Sequence, residues 1–182
     1  DEEALWKGLQ QNIRGDIRKA RERYQVTLRP AQDLDEFLAL NRMTFERQGR
    51  PFPYSRELVE RVDEAAAARG ARDRLIAVDK EGNRHAAAYI VRQGATAYYL
   101  MGGGDPKQRN SGATSLLLWE AIRNQAEDVK TFDFEGSMLE PVERFFRAFG
   151  ARQTPYYRLT KMNSRLMVAA LGFRNLSRRN LY

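Results

Sequence analysis

A chain of 182 residues, 42% hydrophobic and 30% charged, can bury one ordinary core, so a single domain is the default. It has no cysteine and one histidine, His85, which excludes disulfides, thiolate nucleophiles and cysteine-ligated zinc and leaves no basis for a histidine-built metal site. The net charge of +7 is uneven: residues 158–182 hold six basic residues and no acid, leaving 25 basic against 24 acidic residues elsewhere. That tail, with Arg14, Arg18 and Arg21 on one face of the opening helix, reads equally as a solvated surface or as a polyanion-binding one. No apolar run approaches the roughly 20 residues of a membrane span. The chain opens at Asp1 without an initiator methionine or a signal-like apolar stretch, so it is read as a piece of a longer protein, with a cytoplasmic location expected.

The periodicity predicts an amphipathic, basic helix over 4–23 with Leu9, Ile13, Ile17, Ala20 and Tyr24 on its apolar face, then a strand over 25–29 closed by Pro30. A helix over 34–47 follows, with Leu34, Phe37, Leu38 and Phe45 as its stripe. Residues 49–54 hold a glycine and two prolines and cannot be regular; Ser55 then caps a helix carrying Leu58, Val59, Val62 and Ala66 and ending at Gly70. Strands over 73–78 and 85–92 are joined by a tight turn at 80–83, and a third, over 98–104, ends in three glycines. A helix with Leu116, Leu117, Ala121, Ile122 and Ala126 comes next, then a strand over 130–135. Pro141 starts a helix carrying Val142, Phe145, Phe146 and Phe149 that stops at Gly150. A strand over 153–160 and a last helix from Asn163 or Ser164 to about Gly172 complete the reading: an α/β fold on a mixed sheet flanked by helices. The corresponding division is a helix over 1–24, a domain over 25–172 and a tail over 173–182.

Three consecutive glycines at the end of an apolar strand call for something that approaches the backbone closely. The helix opening at Arg109-Asn110-Ser111-Gly112-Ala113-Thr114 presents free N–H groups and a positive dipole end, suited to phosphate or a developing negative charge. Alternation along 130–135 puts Asp133 and Glu135 on one face, a carboxylate pair able to bind an amine or take its proton, or else to form an ion pair or cap nearby amides. Tyr98 and Tyr156 are candidate substrate contacts, although Tyr98, Tyr99 and Trp119 also read as packing. His85 reads as structural, and Phe145, Phe146 and Phe149 as core.

The order of elements, with three local signatures, resembles the GNAT superfamily of acyltransferases and within it the Fem-type branch, which includes the methicillin-resistance-associated factors that add amino acids from aminoacyl-tRNA to peptidoglycan precursors. Residues 109–114 resemble the superfamily's pyrophosphate loop, Phe132-Asp133-Phe134-Glu135-Gly136 the Fem-type Phe-Asp-Phe-Gly-Gly strand, and Phe145 to Gly150 that branch's Phe-Lys-x-x-Phe-Gly helix end. The opening basic helix is similar to the one preceding the second of two GNAT-like halves, which implies a missing N-terminal half or a homodimer partner. Two positions depart from the pattern: Phe146 stands where many acetyl-CoA-dependent members have a proton-donating tyrosine, and Arg147 where the Fem-type pattern has lysine.

The resemblance implies acyl or aminoacyl transfer to a primary amine by direct attack, with no metal. Leu100, Met101, Gly102 and Gly103 would offer amides to the acyl carbonyl and residues 109–114 would hold the donor. Arg147 would stabilise the oxyanion and Asp133 or Glu135 would serve the amine. The legible loop points to acyl-CoA, the donor favoured on the sequence, whereas Phe146 and Arg147 point to the alternative, aminoacyl-tRNA acting on a cell-wall precursor. A non-catalytic half that recognises substrate or tRNA is the rival from another class.

Overall fold

The computed structural model describes residues 1–155 together with Tyr157, Leu159 and Lys161. Asp1–Arg152 forms one compact unit and Gln153–Tyr182 a second. Tyr156, the predicted last helix and the tail lie outside the described residues, and residues 153–155 join no strand. Five strands, β1 (Thr27–Pro30), β2 (Arg72–Val78), β3 (Arg84–Gln93), β4 (Thr96–Gly104) and β5 (Thr131–Asp133), form one sheet in the order β1-β2-β3-β4-β5. The first four are antiparallel neighbours, and β5 runs parallel to β4. That parallel step needs a crossover, supplied by helix α5 (Ala113–Gln125).

Both faces of the sheet are covered, which is why β3 reads as a nearly continuous apolar run. Ala86, Ala88 and Ile90 face a core built with α5 and with α2 (Gln11–Glu22), whereas Ala87 and Tyr89 face a second core under α3 (Leu34–Arg47) and α4 (Arg56–Ala67). The opening segment is part of the first core: Leu9, Ile13, Ile17 and Ala20 are buried. It is not one helix, however. It breaks between α1 (Glu2–Gly8) and α2, where Leu9 is extended and the Gln10 amide donates to the Ala148 carbonyl at 2.8 Å. A Cβ on Gly150 would come within 3.0 Å of the Gly8 carbonyl oxygen, so the helix end at Gly150 and the break at Gly8 fit against each other.

Helix α3 has the predicted bounds, but its buried stripe runs through Phe37, Leu38, Leu40 and Asn41, with Leu34 and Phe45 only half-buried. Helix α4 docks through Val59, Asp63 and Ala66, and Leu58 and Val62, expected inside, are exposed. Near the start of α3, Glu36 accepts from both Arg29 terminal nitrogens, at 2.9 and 2.5 Å, and from the Gln32 amide at 2.8 Å. The Arg29 guanidinium, outweighing burial, holds the Glu36 carboxyl at about 2, well below the usual 4.5. The pair therefore adds stability that is complete above the unfolded-state pKa and is lost as pH falls through about 2. Glu36→Gln is expected to cost roughly 2 kcal/mol at neutral pH and to flatten the stability-versus-pH curve below about pH 4, measured by urea unfolding from pH 7 to 2.

Candidate active site

Pairing between β4 and β5 lasts for three residues, from Thr96 opposite Thr131 to Tyr98 opposite Asp133, and then stops while β4 continues to Gly104. Beyond Tyr98 this side of β4 has no strand partner among the described residues, and the region beside it is termed the wedge. On its other side β4 stays paired with β3, except for one extra residue: Tyr99 pairs with Ile90 and Met101 with Tyr89, leaving Leu100 as a bulge. The bulge resets the alternation, so Tyr99 packs with the α2/α5 core while Met101 is buried in the other core. Leu100 is exposed.

The wedge is lined by rings. Tyr99 lies edge-on to Phe134 and to Phe146, with centroids 6.5 and 6.0 Å apart, and Phe134 stacks on Phe146 at 4.8 Å. Phe146 comes from α6 (Glu140–Arg147). The close approach that the glycines imply is made by the protein itself. A Cβ on Gly102 would overlap the Tyr99 hydroxyl, and one on Gly103 would sit 2.5 Å from the Asn41 Cα in α3. The Asn41 side-chain amide donates to the Gly102 carbonyl at 2.5 Å, while its Oδ1 is buried without a partner.

Residues 105–112 form the turn into α5. Asp105 accepts from the Lys107 amide at 2.8 Å and starts a 3-10 turn over Pro106–Ser111, and Gly112 (φ 79°) opens α5. Arg109, Asn110 and Thr114 are exposed, but Ser111, Gly112 and Ala113 are buried. The Ala113 amide donates to Ser111 Oγ at 3.2 Å, and a Cβ on Gly112 would overlap the Asp16 carbonyl of α2. The Asp16 carboxylate accepts from Ser115 Oγ at 3.4 Å and from Lys19 at 2.8 Å. At the start of α5, helix α2 thus lies against Gly112 and brings the Asp16 carboxylate near it.

Strand β5 ends at Asp133, two residues short of the expected end. Asp133 Oδ1 accepts the Glu135 amide at 2.7 Å, and Glu135 turns to φ 59°. The expected common face of Asp133 and Glu135 is therefore not formed, since alternation ends where the backbone leaves the strand; both side chains are exposed. Tyr98 is half-buried in register with Asp133. Arg147, at the end of α6, is exposed and doubly hydrogen-bonded to Glu143 at 2.9 and 2.5 Å, which raises its pKa and keeps it a cation. It borders a groove of about 640 Å³ between the start of α2 and α6, lined by Gln10, Asn12, Arg144 and Phe145 among others; neither Asp133 nor Glu135 lines it. Sequence reasoning passed over Asn41 and Asp16, and read Tyr99 as packing, as it is found. A polar residue four positions after Phe37, on the buried stripe of α3, was the available signal for Asn41; nothing local marked Asp16.

A helix-flanked mixed sheet that splits beside a bulged strand is the frame of an acyltransferase of the GNAT type. The chain belongs to the acetyltransferase (GNAT) domain family, whose model matches residues 7–152. Among solved structures it is similar to FemX (TM-score 0.72, 14% identity), covering 82% of this chain and 56% of that one, so it spans little more than half of FemX. It is also similar to an acetyltransferase from Clostridium acetobutylicum solved with acetyl-CoA (TM-score 0.58, 15% identity, 75% and 96% covered). A third is the aminoglycoside 6'-N-acetyltransferase AAC(6')-Ih from Acinetobacter baumannii (TM-score 0.52, 15% identity, 76% and 99% covered). No curated protein matches significantly. The family supports acyl transfer in general; among the described residues no helix is long and apolar enough to cross a membrane, and no acid or histidine cluster forms a metal site.

Proposed function

We propose that this chain is one GNAT-like half of a Fem-type transferase that moves an aminoacyl group from an oxygen ester, of the aminoacyl-tRNA kind, onto a primary amine by direct attack. The observation that carries this reading is α2 lying across the start of α5, where the Asp16 carbonyl occupies the space a side chain on Gly112 would need. Phosphate held at a helix start calls for accessible amides, and Ser111, Gly112 and Ala113 are buried residues. In this reading Arg147, a fixed cation on the groove between α2 and α6, stabilises the oxyanion; Glu135 does not line that groove, so a role for it as acceptor of the amine's proton would need it to close on the bound substrate. A cell-wall precursor as acceptor, and a second GNAT-like half, follow from the Fem-type resemblance.

A specific observation favours a second reading: the Clostridium acetobutylicum structure was solved with acetyl-CoA, which makes acyl-CoA the alternative donor. Calorimetry separates the two. CoA at millimolar concentration is expected to give no binding heat, whereas charged tRNA binds with an affinity that falls by about 10³ between 50 and 200 mM salt if some six phosphates are contacted. Micromolar CoA binding would replace the first reading by the second. Arg147→Ala is expected to lower kcat at least about tenfold with KM nearly unchanged, because the oxyanion exists only in the transition state. Unchanged turnover would remove Arg147 from the chemistry.

A further inference from the structure

We propose that the outward side of α4 is a self-pairing surface, on which a second copy of this chain docks antiparallel about a two-fold axis. The starting observation is an inversion in what this helix buries. Against the sheet α4 places Val59, Asp63 and Ala66, so that a carboxylate goes inside, while Leu58 and Val62 stay 51% and 36% exposed. Leu58 and Val62 stand four residues apart and lie one above the other on a single face. Exposed Ala65 continues that face one turn on, and Tyr54, 37% exposed, precedes the Ser55 cap at its other end. Single apolar residues on a surface are ordinary, but a row of them along a helix that buries an acid instead calls for a partner.

Charge selects which partner. Beside the stripe, Glu57 and Arg61 share one flank, again four residues apart; both are exposed, and neither side chain forms an ion pair among the described residues. The flank toward α3 is different, since Arg56 pairs with Asp35 of α3 at 2.6 Å and with Glu60 at 2.6 Å. When two copies of a helix lie antiparallel about a two-fold, the same flank of each meets the other with the chain direction reversed. Glu57 then stands opposite Arg61 of the partner subunit, and Arg61 opposite the partner subunit's Glu57, while Leu58 covers the partner's Val62. A uniformly acidic or basic partner would satisfy one of the two charges and repel the other. A second copy satisfies both by symmetry.

This pairing leaves the groove between α2 and α6 open, because α4 covers the opposite face of the sheet from α2. The inference goes beyond the acyl-transfer reading and stands or falls without it.

The test is sedimentation equilibrium of the chain from about 1 to about 300 µM, where a dimer dissociating at some tens of micromolar is expected, since one short helix makes a small interface. Glu57→Arg alone, or Arg61→Glu alone, sets like charges together at two symmetric places and is expected to weaken dimerisation at least about tenfold. Glu57→Arg and Arg61→Glu together rebuild the same order with the signs exchanged and should return the dimer to within about threefold of the parent. Recovery in the double variant excludes misfolding as the cause of the single losses. Leu58→Asp is expected to leave only monomer. A parent chain that stays monomeric throughout would mean that another partner covers the stripe, or none, and would overturn the proposal. So would a double variant no tighter than the single ones, or single variants that dimerise like the parent, since the dimer would then be held by a different surface.

Discussion

Asp63→Ala is expected to destabilise the fold by about 3 kcal/mol, because it leaves two guanidinium groups and a phenol in a shielded site without their counter-charge. Asp63 lies on the buried face of α4. Its Oδ1 accepts the Tyr89 hydroxyl at 2.8 Å and faces Arg72 Nε at 2.9 Å, and its Oδ2 lies 3.3 Å from Arg74. The Arg74 side chain is 12% exposed, and its Nε has no partner even in the intact protein. Without the carboxylate its charge would have to be solvated by opening the α4–sheet contact. Burial, with the Asp63 carboxylate second, pushes the Tyr89 phenol up, so that hydroxyl stays a donor at all accessible pH. Tyr89→Phe, which removes one donor and leaves the ion pairs, should cost only about 1 kcal/mol. Urea unfolding of the two variants decides it: equal costs would mean that the arginines do not depend on Asp63.

Gly112→Ala should cost about 3 kcal/mol, for two reasons that can be separated. The first is conformational, since a residue with a Cβ pays roughly 1 kcal/mol to hold φ near +79°. The second is overlap with the Asp16 carbonyl, which forces α2 off the start of α5 and adds about 2 kcal/mol. Gly82→Ala is the control: Gly82 has φ 83° in the turn between β2 and β3 and nothing within 4 Å of a new Cβ, so it should show the first cost alone. If both variants lose the same stability by denaturant melts, α2 is not packed on α5 as described. The comparison also bears on the proposed function, because it measures the contact that lays α2 across Gly112.

Much of the frame was legible in the residues. The 34–47 helix, the Ser55 cap, the hairpin at 80–83 and the glycine-ended strand are set by local rules, in which periodicity, cap chemistry and turn residues act over a few positions. The motif at 109–114 was legible too, but only as a pattern. The same glycine serves a bound phosphate or a neighbouring helix, and its spacing cannot distinguish them. Phe145, Phe146 and Phe149 were read as core, and two of the three do line the wedge or its floor. The carboxylate pair failed for a local reason that the sequence contained: Asp133 can cap the amide two residues on, ending the strand before Glu135 joins its face.

By itself, the sequence determined the type and order of most helices and strands and that this chain supplies no thiol, because each of these follows from residue type and near-neighbour spacing. Tertiary structure alone decided what lies against two of the glycines: α3 on Gly103 and α2 on Gly112. It decided this because close approach between segments far apart in the chain depends on how whole layers pack, and a residue without a side chain records only that something is near.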